Sequence, residues 1–171
     1  MTGRPTESEA AEYCWRYINQ VAGEDAVAAL EGQLAEALAL FTGISEERSL
    51  ARYAAGKWSI REVLNHISDT ERIFSFRVLW FARGLGKELP GFSQDVAVTA
   101  AEADRLAWAA HVEEFRRVRE GTIALFRNLP EEAWFRSGVA NGNSSSVRAL
   151  AFMAAGHAEH HLRILRERYL G

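Results

Sequence analysis

This sequence predicts an all-α domain, a four-helix bundle with a long connection between its second and third helices, and three observations lead there. Every long periodic segment repeats its apolar residues at helical spacing, and none alternates with a period of two. Four such segments fit in 171 residues, the size of one domain with a real core. Their ends carry capping residues, glycine or proline where helices start and stop.

Residues 8–21 come first, with Tyr13, Trp15, Tyr17, Ile18 and Val21 suggesting one or two helical turns closed by Gly23. The first long helix, residues 25–42, lines up Val27, Leu30, Leu34, Leu38 and Phe41 and stops at Gly43. Residues 44–57 form a polar connection. The second helix, 58–83, opens on Ser59 with Glu62 three residues on, a capping box. Its buried stripe is Ile60, Val63, Leu64, Ile67, Phe74, Val78 and Phe81. Glu71 lies near the centre of that stripe, where a carboxylate needs a buried arginine or a hydrogen bond. His66 lies on the flank, in a column with Ser59, Thr70 and Arg77, with Glu62 and Asp69 one turn to either side.

Residues 84–103 hold three glycines and Pro90 and show no helical period, so they read as a crossover that lets the next helix take a non-adjacent place. The third helix, 104–129, turns Trp108, His111, Phe115, Val118, Thr122 and Phe126 inward and is bounded by Pro130. His111 there reads as a core histidine bonded to a neighbour. The run A-N-G-N-S-S-S (140–146) reads as a turn whose serines cap the fourth helix, 146–169.

Composition excludes several classes of function. A hydrophobic content of 48% and a charged content of 25% are those of an ordinary globular protein. No apolar run approaches the ~18 residues of a membrane span, and the acidic, polar opening residues do not resemble a secretory leader. A net charge of −3 without a basic stripe argues against nucleic acid as a partner. The single Cys14, set among aromatics, reads as a packed thiol and, with the polar N-terminus, suggests the cytosol. Five tryptophans and the aromatic N-terminal segment exceed what one small core needs, which suggests a homodimer burying aromatic surface.

Three of the five histidines fall in G-H-A-E-H-H-L-R-I-L (156–165). The stripe through Val147, Leu150, Ala151, Ala154, Ala158, Leu162 and Leu165 places His161 within roughly 50° of its centre and His157 at its edge, while His160 lies far round on the solvent face. His157 and His161 therefore stand one above the other, the geometry by which a helical H-x-x-x-H pair chelates a metal. The same spacing also occurs in solvated or singly bonded histidines, and a third inward ligand would distinguish the two.

Three stretches together resemble the DinB-like (DinB/YfiT) metalloenzymes, which are four-helix bundles. These are G-K-W-S-I-R-E-V-L-N-H-I-S-D-T-E-R-I-F-S-F-R (56–77), G-F-S-Q-D (91–95) and G-H-A-E-H-H-L-R-I-L (156–165). The resemblance implies that His66, His157 and His161 bind a divalent metal ion, zinc or nickel. It further implies a small-molecule substrate, either a low-molecular-weight thiol used in S-transfer or in a related isomerisation, or a substrate for hydrolysis, and it implies a homodimer. Three neutral imidazoles leave a coordination position open, as catalytic sites do, for a water that hydrolyses or a thiol that attacks. Glu62 and Asp69 are placed to accept the second ring N–H of His66. Arg77 is placed to pair with a glutamate or, alternatively, to hold an anionic substrate. A bundle that binds metal or a small ligand without turnover is the remaining alternative.

Overall fold

The structure, a computed structural model, describes residues 3–171. Its long helices are α2 (Ala26–Thr42), α3 (Ile60–Ala82), α5 (Trp108–Arg127) and α6 (Val147–Ile164), preceded by the single turn α1 (Trp15–Ile18). No helix among the described residues is long and apolar enough to cross a membrane.

Local chemistry sets the ends of these helices. Asp25 caps α2 by accepting from the amides of Val27 and Ala28. Ser59 and Glu62 form the expected capping box on α3, and Ser146 caps α6 through the amide of Ala149. Beyond Ile164 the chain continues as one π-helical turn to Tyr169.

α2 and α3 each pack against both α5 and α6, so α2 faces α3 across one diagonal of the bundle and α5 faces α6 across the other. The long connection after α3 is present, but the helices it joins are neighbours rather than separated. Its length is used otherwise: residues 94–101, which show no helical period, form the helix α4 (Gln94–Ala101) packed on α3. The turn at 140–146 also differs from expectation. Asn141 and Gly142, with φ of 53° and 70°, make a tight turn of the mirror-image type, joining β1 (Ser137–Ala140) to an antiparallel β2 (Asn143–Ser146). Leu89 bridges to Ala140 along one edge of this hairpin and Ala10 to Ser145 along the other, so two loops cover its edges.

The buried stripes of α3 and α6 are those expected. On α2 the buried face turns toward Ala26, Leu30, Gln33, Ala37 and Phe41, leaving Leu34 and Leu38 half-buried. Gln33 accounts for the rotation. Its Oε1 accepts from Arg119 Nη1 at 2.9 Å, and its Nε2 donates to the Ala155 carbonyl at 3.1 Å and to Glu159 at 3.2 Å. Arg119, on α5, is fully buried and meets Glu71 through two parallel bonds, Nε to Oε1 at 2.8 Å and Nη2 to Oε2 at 2.9 Å. Here is the partner that Glu71 requires.

The apolar core is thereby split into two clusters, one around Leu30, Phe74, Ile123 and Ala154, the other around Ala37, Ile67, Phe115 and Ala158. Between them every long helix contributes a buried polar side chain: Gln33, Glu71, Arg119 and His157. Removing one member of a buried ion pair strands its partner's charge, so Arg119→Met should lower unfolding free energy by about 3–5 kcal/mol. Adding Glu71→Leu to that variant should recover part of the loss, as read from denaturant midpoints.

Candidate metal centre

His66 sits between Leu64 and Ile67 in the buried stripe of α3, two turns inside the Ser59 cap, and is 2% exposed. His157 is 5% exposed because α1 lies directly over it. The contact is close: a Cβ on Gly156 would fall 2.0 Å from the Tyr17 carbonyl oxygen, so only glycine admits α1 at this level of α6. With α1 in place, α6 is buried on every side from Ala149 to Ala158. The face expected to meet solvent, at His160 and Arg163, begins only past this stretch, and His157 is more deeply covered than His161.

The three rings converge. Nε2 of His66 lies 3.0 Å from Nε2 of His157, and one ring nitrogen from each of His66, His157 and His161 falls within 4.8 Å of the others. Two nitrogens on one divalent ion with bonds near 2.0–2.2 Å stand roughly 2.8–3.6 Å apart, depending on whether the angle between them is square or tetrahedral. His160 is held edge-on to Tyr17 at 5.6 Å, outside the group. His111 is buried elsewhere, its Nε2 2.9 Å from the Ala103 carbonyl, as read from the sequence.

Burial pushes the pKa of His66 down to about 4, with Asp95 opposing the shift, and that of His161 to about 3. His157 is lowered well below the usual value by burial and then by the charges of its two companions. All three rings are thus neutral at pH 7, the protonation state that ligates. No carboxylate belongs to the cluster. Three neutral nitrogens gathered in a dry interior suit a divalent ion that accepts imidazole, and zinc and nickel both do.

The residues expected to support His66 are occupied elsewhere. Glu62 accepts from the Ser59 amide at 2.7 Å and pairs with Arg52. Asp69 pairs with Arg72 at 3.2 Å. Instead, Thr70 Oγ1 stands 3.4 Å from Nδ1 of His66, one turn along the same column. Trp58, just before the α3 cap, covers the His66 ring with centroids 4.9 Å apart. Arg77 makes no ion pair with a glutamate among the described residues and is half-buried beside a cavity.

Two cavities of about 270 Å³ each flank the cluster. One is bordered by His66, His157, Thr70, Arg77, Tyr13 and Tyr17. The other is bordered by His161, Trp58, Lys57, Asp95, Tyr53 and Tyr169. Gln94 borders the first and Asp95 the second, which places the first turn of α4 where the two meet.

A histidine whose folded pKa lies below its unfolded value near 6.5 leaves the unfolded chain binding the proton first, so stability is full above pH 6.5 and falls as pH drops toward the folded pKa. Metal-free protein should therefore lose on the order of 2 kcal/mol for each of His66 and His161 between pH 6.5 and pH 5. Denaturant titrations across that range measure the slope, and His161→Asn should flatten it.

The fold that carries these residues has known relatives. The sequence pattern of the DinB superfamily matches residues 29–165. Among solved structures, YfiT from Bacillus subtilis, described as a probable metal-dependent hydrolase with an unusual four-helix bundle topology, superposes with a TM-score of 0.70 at 16% identity, covering 96% of this chain and 90% of its own. A mycothiol-dependent maleylpyruvate isomerase superposes with a TM-score of 0.69 at 11% identity; the match covers 85% of this chain but only 61% of the isomerase. No curated protein sequence matches. These structures share the fold, and with the superfamily pattern running from before the middle of α2 to the end of α6, the chain belongs to the DinB superfamily.

Proposed function

We propose that the protein is a cytosolic, metal-dependent enzyme that activates a low-molecular-weight thiol for transfer to an electrophile, with His66, His157 and His161 as the ligands. The observation that carries this reading is the pair of cavities: the imidazole cluster has space on two sides, enough for two reactants, whereas hydrolysis needs only one substrate and a water. The likeness to a mycothiol-dependent isomerase supports the choice of a thiol. A zinc or nickel ion held by the three rings would lower the pKa of a coordinating thiol toward neutrality. The chain's own part is to keep the three imidazoles neutral by burial, to fix the His66 ring through Thr70 and Trp58, and to exclude water with α1. In this assignment Nδ1–H of His66 donates to Thr70 Oγ1, which leaves Nε2 as the free lone pair.

The likeness to YfiT favours a second reading, metal-dependent hydrolysis at the same residues. Metal content and turnover separate these possibilities. His157→Ala and His161→Ala should each abolish metal binding, since two imidazoles hold a divalent ion poorly, and His160→Ala should leave stoichiometry unchanged. Metal-loaded protein should consume thiol in the presence of an aryl halide. Cleavage of an activated ester without thiol would favour the hydrolase, and metal without either activity would leave a binding module.

Self-association is also proposed, on a different ground from the tryptophan count. All five tryptophans are engaged within the chain: Trp15 packs on the core, Trp58 on His66, and Trp134 stacks on Phe126, while Trp80 and Trp108 donate to the carbonyls of Lys87 and Phe41. Exposed Phe76 and Leu79 on α3, with Leu85 just past its end, support a homodimer instead. Sedimentation in the micromolar range should give twice the chain mass; a monomer throughout would refute it.

A further inference from the structure

His66, Thr70, Ile73 and Arg77 lie along one line of α3, because eleven residues bring a helix back to within about 20° of its starting direction and carry it about 16 Å onward. That line borders the cavity walled by Tyr13 and Tyr17. Arg77 closes the end of the line away from the imidazoles. Its situation differs from that of the neighbouring arginines on the bundle helices: Arg61 pairs with Glu46, Arg72 with Asp69 and Glu114, Arg119 with Glu71. Among the described residues no carboxylate meets Arg77 and no hydrogen bond engages its guanidinium. The groups beside it are the Tyr13 phenol and the Cys14 thiol, both neutral at pH 7. Burial pushes the pKa of Arg77 below its ordinary value, so its charge is partly desolvated without an anion in return.

We infer that Arg77 is the anchor for a carboxylate of the substrate, bound in the cavity bordered by His66, His157, Tyr13 and Tyr17. A guanidinium fork matches a carboxylate through two parallel bonds, and the aromatic wall accommodates the apolar part of a small acid. Side chains on a helix lean toward its N-terminus, so the Arg77 guanidinium and the imidazole cluster are separated by roughly 10–15 Å. With about 5 Å taken up by the contacts at the two ends, the substrate class is a small acid whose carboxylate lies roughly 5–10 Å from its reacting end. The assignment of the reacting end to the histidines rests on the function proposed above; the carboxylate subsite rests on Arg77 alone.

Calorimetric titration tests this with mercaptohexanoic acid against mercaptohexanol on metal-loaded protein, and with hexanoic acid against hexanol on metal-free protein. Wild type should bind each acid at least about tenfold more tightly than its alcohol. Arg77→Gln should erase the preference with metal stoichiometry and thermal midpoint unchanged, and Arg77→Lys should keep part of it. Equal binding of acid and alcohol by wild type would overturn the inference, as would a preference that survives Arg77→Gln and is lost instead in Lys57→Gln, which would place the acid in the other cavity. If the protein takes up no metal, the thiol reading fails while the hexanoic acid comparison still decides the subsite.

Discussion

Everything in this bundle accommodates a buried polar layer at mid-height. Arg119 lies wholly out of solvent, and its charge is tolerated because Glu71 meets it through two parallel bonds while Gln33 and the Leu30 carbonyl accept from Nη1. Gln33 then passes the connection to the Ala155 carbonyl of α6. All four long helices are thus tied at one level by groups that demand partners, and a slip of any helix by one turn would leave a charge or an amide without one. Apolar packing above and below supplies most of the driving force, but it is less particular about register.

The imidazole cluster adjoins this layer and inherits its rigidity. Ala155, whose carbonyl holds Gln33, lies two residues before His157, so the ring is placed on a stretch of helix that cannot rotate freely. Burial then acts on the rings as well as on packing. It keeps them unprotonated and leaves the two flanking cavities as the approaches to them. Asp95 is the carboxylate that acts on His66, and among the described residues none joins the three ring nitrogens, which leaves them available as donors to an ion.

Much of this was legible in the sequence because helical periodicity carries over into burial directly. The stripes of α3 and α6, the capping box at Ser59 and the need of Glu71 for a partner could all be read from spacing. Arg119 could not: an arginine beside Val118 reads as a solvated flank until Glu71 and Gln33 are seen across from it. The hairpin escaped notice although Asn141-Gly142 signals it, since S-G-V-A and N-S-S-S have no apolar alternation to mark strands. Residues 94–101 escaped for a related reason: their β-branched Val96, Val98 and Thr99 weaken the helical pattern, and packing against α3 makes up for it. At the site, Glu62 and Asp69 were correctly placed one turn from His66 but were claimed by Arg52 and Arg72, contacts that depend on rotamers rather than on position in the chain. Thr70, which does approach the ring, stood in the same column and lacked only a charge to draw attention to it.

The docking of α1 on Gly156 builds the centre from two stretches of chain. His66, His157 and His161 all fall inside residues 29–165, the span common to the superfamily, while Tyr13 and Tyr17, which wall the Arg77 cavity, come from the segment before it. A glycine on α6, the ion pair of Glu9 with Arg148 and the bridge of Ala10 to Ser145 help hold that segment in place. The imidazoles and the two tyrosines beside them therefore lie on separate stretches of chain, so a substitution at Tyr13 or Tyr17 reshapes the cavity without altering the helices that carry the nitrogen donors.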